Sequence, residues 1–219
     1  MLEKLNERLQ AHHPRRLSSA FAQAAVLIPI IDGPEPTLLF TQRTAHLKQH
    51  AGQVAFPGGK REPEDGDLLT TALRESQEEI GLNADAVQVV GRLSDVISLH
   101  GLRVTPFVGV IPPGLPLVAE PGEIAAIFEV PLSHFLDDRR THTDVIPVDD
   151  QPYYVPSYRV DERVIWGLSA MMLVELLSVG FGLDVSLTRA PSHGELRYHP
   201  QRRRQTTSPV PRAPNGASR

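Results

Sequence analysis

The stretch FPGGKREPEDGDLLTTALRESQEEIGL, from Phe56 to Leu82, leaves the chain few local choices. Phe56-Pro57-Gly58-Gly59 reads as a turn whose glycines permit left-handed angles and close backbone approach to a ligand. Asp67 is a good N-cap and Gly81 a good C-cap, so a helix is predicted from about Leu68 to Ile80. Leu69, Leu73, Ser76 and Ile80 recur at helical spacing and are expected to face a core. Glu75, Glu78 and Glu79 stand at i, i+3 and i+4, which puts three carboxylates on one side of that helix.

Like charges at i and i+4 destabilise a helix by roughly 0.2–0.5 kcal/mol per pair. Two readings follow. The acids form a solvated face relieved by Arg74 and water, as most charge runs do. Alternatively they are oxygen ligands for a hard divalent cation, which would bridge phosphate oxygens and activate water. The upstream glycines favour the second, because a turn beside the carboxylates leaves room for substrate.

With these residues the chain resembles the Nudix hydrolases, whose box is written G-x5-E-x7-R-E-U-x-E-E-x-G-U, U being apolar. Gly59 and Arg74-Glu75-Ser76-Gln77-Glu78-Glu79-Ile80-Gly81-Leu82 match its two ends. The gap between Gly59 and Arg74 is one residue longer than the pattern, and Gly66 falls where the first glutamate belongs. Either Asp65 or Asp67 is available to replace that residue, and Ser76 takes an apolar position.

A basic segment, Arg43 to Gly52, feeds into the glycine turn and carries Arg43, His46, Lys48 and His50. It reads as an exposed polar loop or as a phosphate-binding one, since Arg and Lys supply charge-assisted hydrogen bonds. It is similar to a second motif of the coenzyme A pyrophosphatase branch, L-L-T-x-R-(S/A)-x3-R-x3-G-x3-F-P-G-G. Leu38-Leu39-Phe40-Thr41-Gln42-Arg43, then Lys48, Gly52 and Phe56-Pro57-Gly58-Gly59, follow it. Lys48 replaces the second arginine, Thr44 replaces Ser/Ala, and Phe40 intrudes so that the threonine sits one place late.

Elsewhere the signals are coarser. Leu2, Leu5 and Leu9 predict a short amphipathic helix before Pro14, packed on the domain or a partner, or else a frayed end. Ala24 to Ile31 and Leu38 to Thr41 read as neighbouring buried strands, with Pro29 pointing to an edge or bulge. Strands are expected over Ala86–Leu93 and Leu102–Ile111, with a hairpin turn at Ser98-Leu99-His100-Gly101. His100 in that turn is either exposed or a substrate contact. Glu120 to Pro131 reads as a buried element ending at Pro131, and Asp137 to Asp150 as loop. Tyr153–Val160 and Arg163–Trp166 have strand character, and an apolar core helix is predicted from Gly167 to about Val179.

The 219 residues include no cysteine, which excludes disulfides, thiolate metal sites and a cysteine nucleophile. The net charge of -4 gives no overall bias toward nucleic acid. No apolar run is long enough to span a membrane, and the charged first residues lack the apolar core of a signal peptide; a cytoplasmic enzyme is expected.

The resemblance implies an α/β (α+β) fold of Nudix type, a mixed β-sheet sandwiched between helices. The expected organisation is an N-terminal helix and lead-in over 1–23, a hydrolase domain over 24–187, and a basic disordered tail over 188–219 centred on Arg202-Arg203-Arg204. It also implies Mg²⁺ or Mn²⁺ on Glu75, Glu78 and Glu79, Arg74 orienting a carboxylate, and a general base in the box or at Glu123. Gly58 and Gly59 would shape the backbone near the metal, while Arg43 and Lys48 hold phosphates. The implied reaction is hydrolysis of the diphosphate of coenzyme A or its thioesters. Another nucleoside diphosphate derivative (ADP-ribose or a dinucleotide) and a non-catalytic nucleotide-binding module are the alternatives. A homodimer stays open, and contact with nucleic acid is expected at most through the tail.

Overall fold

The structure is a computed structural model that describes residues 1–18, 21–47, 49–98, 101–148 and 151–199. In chain order, helix α1 (Leu2–Ala11) is followed by strands β1 (Gln23–Ile31), β2 (Thr37–Arg43), β3 (Val54–Ala55) and β4 (Gly58–Lys60). Helix α2 (Leu68–Ile80), strands β5 (Gln88–Arg92), β6 (Val96–Ile97), β7 (Arg103–Ile111) and β8 (Ile124–Pro131), and helix α3 (Leu132–Leu136) come next. Strands β9 (Arg140–Val148), β10 (Gln151–Val160) and β11 (Arg163–Ile165), helix α4 (Gly167–Glu175) and strand β12 (Leu196–Tyr198) complete the described elements. The expected strands and the late apolar helix are therefore present, α4 running on as a π turn over Leu176–Gly180.

A mixed sheet in the order β3-β2-β1-β7-β5 also takes up β4 beside β1, β6 beside β7 and β8 beside β2. β1 and β7 pair in parallel along the whole of Gln23–Ile31. This central strand is buried on both faces, which explains why its sequence is one apolar run rather than an alternation. Ala25, Leu27 and Ile31 pack under α2 with Ala72, Ile80 and Leu82. Ala24, Ile28 and Ile30 face the opposite layer with Leu5, Leu9, Leu173 and Leu176. The sheet is thus sandwiched between helices, as expected.

Pro29 lies on this central strand, not on an edge. Leu27 N donates to Pro57 O at 2.9 Å, so by alternation the nitrogen of Pro29 faces the same flank. There β4 ends its pairing at Val26 and β2 begins at Ile30, so no ladder bond is lost.

The N-terminal helix packs on the domain: Leu5 and Leu9 are buried, and Arg8 Nη1 donates to Gly180 O at 3.1 Å. Two expectations fail. Asp137 to Asp150 is not loop; β9 occupies most of it and pairs with β10 in a second sheet ordered β11-β10-β9-β12. Its buried positions include Thr143 and Asp144, with Ser157 Oγ of β10 donating to Asp144 Oδ2 at 3.1 Å, so hydropathy alone conceals the strand. The segment from Thr188 does not start as a disordered tail, because β12 adds in parallel to β9. Arg202-Arg203-Arg204, Leu99, His100 and Lys48 lie outside the described residues.

Candidate active site

Helix α2 forms where its caps place it. Asp67 Oδ1 accepts from Thr70 N at 2.8 Å, and Gly81 has φ 68 with its N–H on Gln77 O. The buried stripe is rotated from the predicted one: Ala72, Ser76, Glu79 and Ile80 are covered, Leu73 packs partly, and Leu69 does not join the core. Ser76 fits the apolar position by donating its hydroxyl to Ala72 O at 2.7 Å inside the helix.

That rotation separates the three glutamates. The Glu79 side chain is 6 % exposed, Glu75 is partly covered, and Glu78 is 59 % exposed. Glu79 Oε2 accepts from Gly58 N at 3.1 Å. Glu75 lies against Gly59 so closely that a Cβ there would stand 2.3 Å from its carboxyl carbon. Gly58 has φ 151, and a Cβ on it would meet Ala25 O at 2.4 Å. The glycine turn therefore lets β4 lie directly under α2 and leaves its backbone against the two inner carboxylates. Gly59→Ala must push the Glu75 carboxylate aside. The expected result is a loss of roughly 100-fold in kcat/KM, since displacements of about 1 Å cost that much. Steady-state kinetics beside a thermal melt would check it, and activity within threefold of wild type would refute the placement.

Arg74 is spent on structure. Its Nε and Nη2 form a fork with Asp65 Oδ1 and Oδ2 at 3.0 and 3.1 Å. Nη1 reaches Glu78 at 2.9 Å, and Nη2 reaches Glu75 at 3.1 Å and Lys60 O at 3.0 Å. Asp65 is buried and also accepts from Glu62 N and Thr71 Oγ1, each at 2.9 Å. Arg74 and these donors hold its carboxyl well below the ordinary carboxylate range despite burial. A Cβ on Gly66 would meet nothing, and its carbonyl accepts from Arg61 Nη2 at 3.4 Å, whereas Asp65, six residues after Gly59, carries the side-chain contacts at this turn.

Arg43, at the end of β2, faces Glu79 of α2 and Glu123. Nη1 is 3.4 Å from Glu79 Oε1 and Nη2 is 3.4 Å from Glu123 Oε2. Glu123 is 54 % exposed and precedes β8; its carbonyl accepts from Thr44 N at 2.8 Å, while Glu120 N donates to Glu79 O at 2.9 Å. The loop after β2 and the loop before β8 are thus stitched to α2. Phe40, one strand face away, is buried and stacks on Phe56 at 4.6 Å. It fills an apolar position, so Leu39-Phe40-Thr41-Gln42-Arg43 keeps the motif's spacing by substitution, and the displaced threonine is corrected.

Among the described residues no three His, Asp or Glu side chains stand close enough to hold a metal as they are. The donor set nevertheless fits one. Burial, mainly, pushes Glu79 up to about 7, with Glu75 and Glu123 adding repulsion against the Gly58 N–H and Arg43. Burial also pushes Glu75 up, opposed by Arg74. Inward carboxylates that burial makes costly to ionise suit a hard cation with oxygen preference.

A pH dependence follows. Between about pH 4.5 and 7 the native metal-free protein holds a proton on Glu79 that the unfolded chain has released, so stability falls as pH rises through this window. Melting temperatures of metal-free protein should drop across that range. Added Mg²⁺ should raise them more at pH 8 than at pH 5.5, because the proton competes with the ion; the opposite order would sink the assignment.

A family model described as NUDIX domain matches residues 21–148. Over 163 residues the chain is 47 % identical to a protein of Photorhabdus laumondii named "Uncharacterized Nudix hydrolase NudL", covering 74 % of this chain and 87 % of that one. A protein of the same name from Yersinia pestis (strain Pestoides F) is 44 % identical over 164 residues, covering 75 % and 82 %. Among solved structures, a Nudix hydrolase from M. smegmatis, RenU, aligns with a TM-score of 0.45 at 23 % identity, covering 53 % of this chain and 74 % of that one.

Proposed function

The chain belongs to the Nudix hydrolase family, and on that premise we propose that it hydrolyses the diphosphate of coenzyme A or its thioesters. Water enters, one P–O bond of the diphosphate breaks, and 4′-phosphopantetheine (or its acyl form) and adenosine 3′,5′-bisphosphate leave. The family works with a divalent ion such as Mg²⁺ or Mn²⁺. When bound, that ion supplies charge neutralisation and a more acidic water.

This chain's residues carry the rest. Glu75 and Glu79 present oxygens beside the Gly58–Gly59 backbone, and Asp65 fixes Arg74, which holds Glu75 and Glu78. The proton of the attacking water would go to a carboxylate of the box or to Glu123, which is the more exposed. The single observation that supports the substrate reading is that Arg43, the motif arginine, reaches Glu79, the carboxylate that accepts from Gly58 N, as well as Glu123. On this reading a phosphate-binding side chain and the metal donors share one site.

A product screen by mass spectrometry with Mg²⁺ and Mn²⁺ tests this. Substrates are coenzyme A, acetyl-coenzyme A, ADP-ribose, NADH and nucleoside triphosphates. Release of 4′-phosphopantetheine and adenosine 3′,5′-bisphosphate is expected. Cleavage of ADP-ribose without coenzyme A would replace the substrate, and inertness toward all of them would remove the catalytic reading.

A further inference from the structure

We propose that Arg43 occupies a cation's place between Glu79 and Glu123, and that metal loading releases its guanidinium onto a phosphate of the substrate. The inference rests on the metal-dependent reading above and adds to it an order of binding, metal before substrate.

The contrast with Arg74 carries the argument. Arg74 makes a fork with Asp65 and contacts with Glu75, Glu78 and Lys60 O, all at 2.9–3.1 Å. It is committed. Arg43 reaches its two acids at 3.4 Å each, beyond the 2.7–2.9 Å typical of a well-formed charge-assisted bond. Its Nε is buried and has no hydrogen-bond partner. A guanidinium has five donors in a rigid fork suited to phosphate. Here that fork is held loosely by two carboxylates from separate elements, α2 and the segment before β8. Its backbone is fixed, with Arg43 N on Gln53 O at 2.9 Å, so only the side chain need turn.

A divalent ion taken up by Glu79 would neutralise the carboxylate that Arg43 now faces. The arginine then loses its reason to stay, while a diphosphate entering the site offers the oxygens its donors lack. Coupling of this kind is reciprocal: whatever Arg43 contributes to holding the acids is withheld from the metal.

Two measurements decide it. The first is Mn²⁺ affinity by EPR for wild type, Arg43→Ala and Arg43→Lys. Arg43→Ala should bind Mn²⁺ about tenfold tighter. Arg43→Lys keeps the charge but lacks the rigid planar fork that spans Glu79 and Glu123, so it should also bind tighter than wild type. Equal affinity in wild type and Arg43→Lys would reduce the effect to charge alone and overturn the bridge. Equal or weaker binding in Arg43→Ala would overturn it too. The second follows the Arg43 Nε–Hε resonance of the wild-type protein by NMR, which does not depend on any variant folding. Methylenediphosphonate should move it only after Mg²⁺ is present; an equal shift without Mg²⁺ overturns the release. If wild type binds no Mn²⁺ at all, the metal-dependent reading itself falls. Binding without any Arg43 response leaves that reading standing and removes only this inference.

Discussion

Glu79→Gln should lower kcat by roughly 10³-fold, within the range expected for removing a positioned proton acceptor or metal donor, while leaving the fold at least as stable. Glutamine is isosteric, and its carbonyl can still accept from Gly58 N, which now donates to Glu79 at 3.1 Å. The variant also loses a buried carboxylate that burial already pushes up to about 7. Above neutral pH that carboxylate must ionise against its surroundings, so its removal relieves the metal-free protein. Activity and stability thus move in different directions, which a simple folding defect cannot imitate. Glu78→Gln is the comparison: its side chain is exposed and pairs outward with Arg74, so a smaller loss is expected. Kinetics and thermal melts on both variants check this. Near-wild-type activity in Glu79→Gln, or a larger loss in Glu78→Gln, would overturn the assignment of the inner carboxylate.

Sequence spacing alone could not separate those two residues. Glu75, Glu78 and Glu79 share one side at i, i+3 and i+4, but which of them turns inward depends on how α2 rolls onto β4. The roll is set by Gly58 and Gly59, whose lack of side chains lets the strand approach. The same roll explains why Leu69 was misplaced while Ile80 and Ser76 were not. The caps at Asp67 and Gly81 were legible because capping is local chemistry, complete within four residues. The central sheet was legible because its strands are buried runs or alternations.

The second sheet was legible only in part, through β10 and β11. β9 and β12 hide behind polar residues satisfied by one another: Asp144 takes Ser157 Oγ at 3.1 Å and His199 Nε2 at 2.7 Å. Hydrophobic pattern carries no trace of such pairs. Arg43 was legible as a site residue from its motif, but its present partners were not, since Glu79 and Glu123 come from elements far away in the chain.

Asp65→Ala should destabilise the protein by about 3–5 kcal/mol, the cost of breaking a buried ion pair from one side, and so lower Tm by on the order of 10 °C. The loss is large because Asp65 serves four donors, from α2 and from the loop before it: the two of the Arg74 fork, Thr71 Oγ1 and Glu62 N. Removing it takes the fork from Arg74, leaves Glu62 N and Thr71 Oγ1 without their acceptor, and frees the loop that leads from Gly59 into α2. Acid should act the same way. The Asp65 carboxyl is held below its ordinary range, so its stabilisation is present above about pH 4 and is lost as pH falls below that. Two further variants separate Asp65 from its neighbours. Asp67→Ala removes an N-cap and should cost only about 1 kcal/mol. Gly66→Glu writes a glutamate where the family pattern has one, yet Gly66 is exposed and a Cβ there meets nothing, so little change is expected. If Gly66→Glu rescued Asp65→Ala, the glutamate's place would belong to residue 66 after all. If it does not, the box of this chain is closed by an aspartate one position earlier, and the following extra residue is absorbed in the turn before the helix cap.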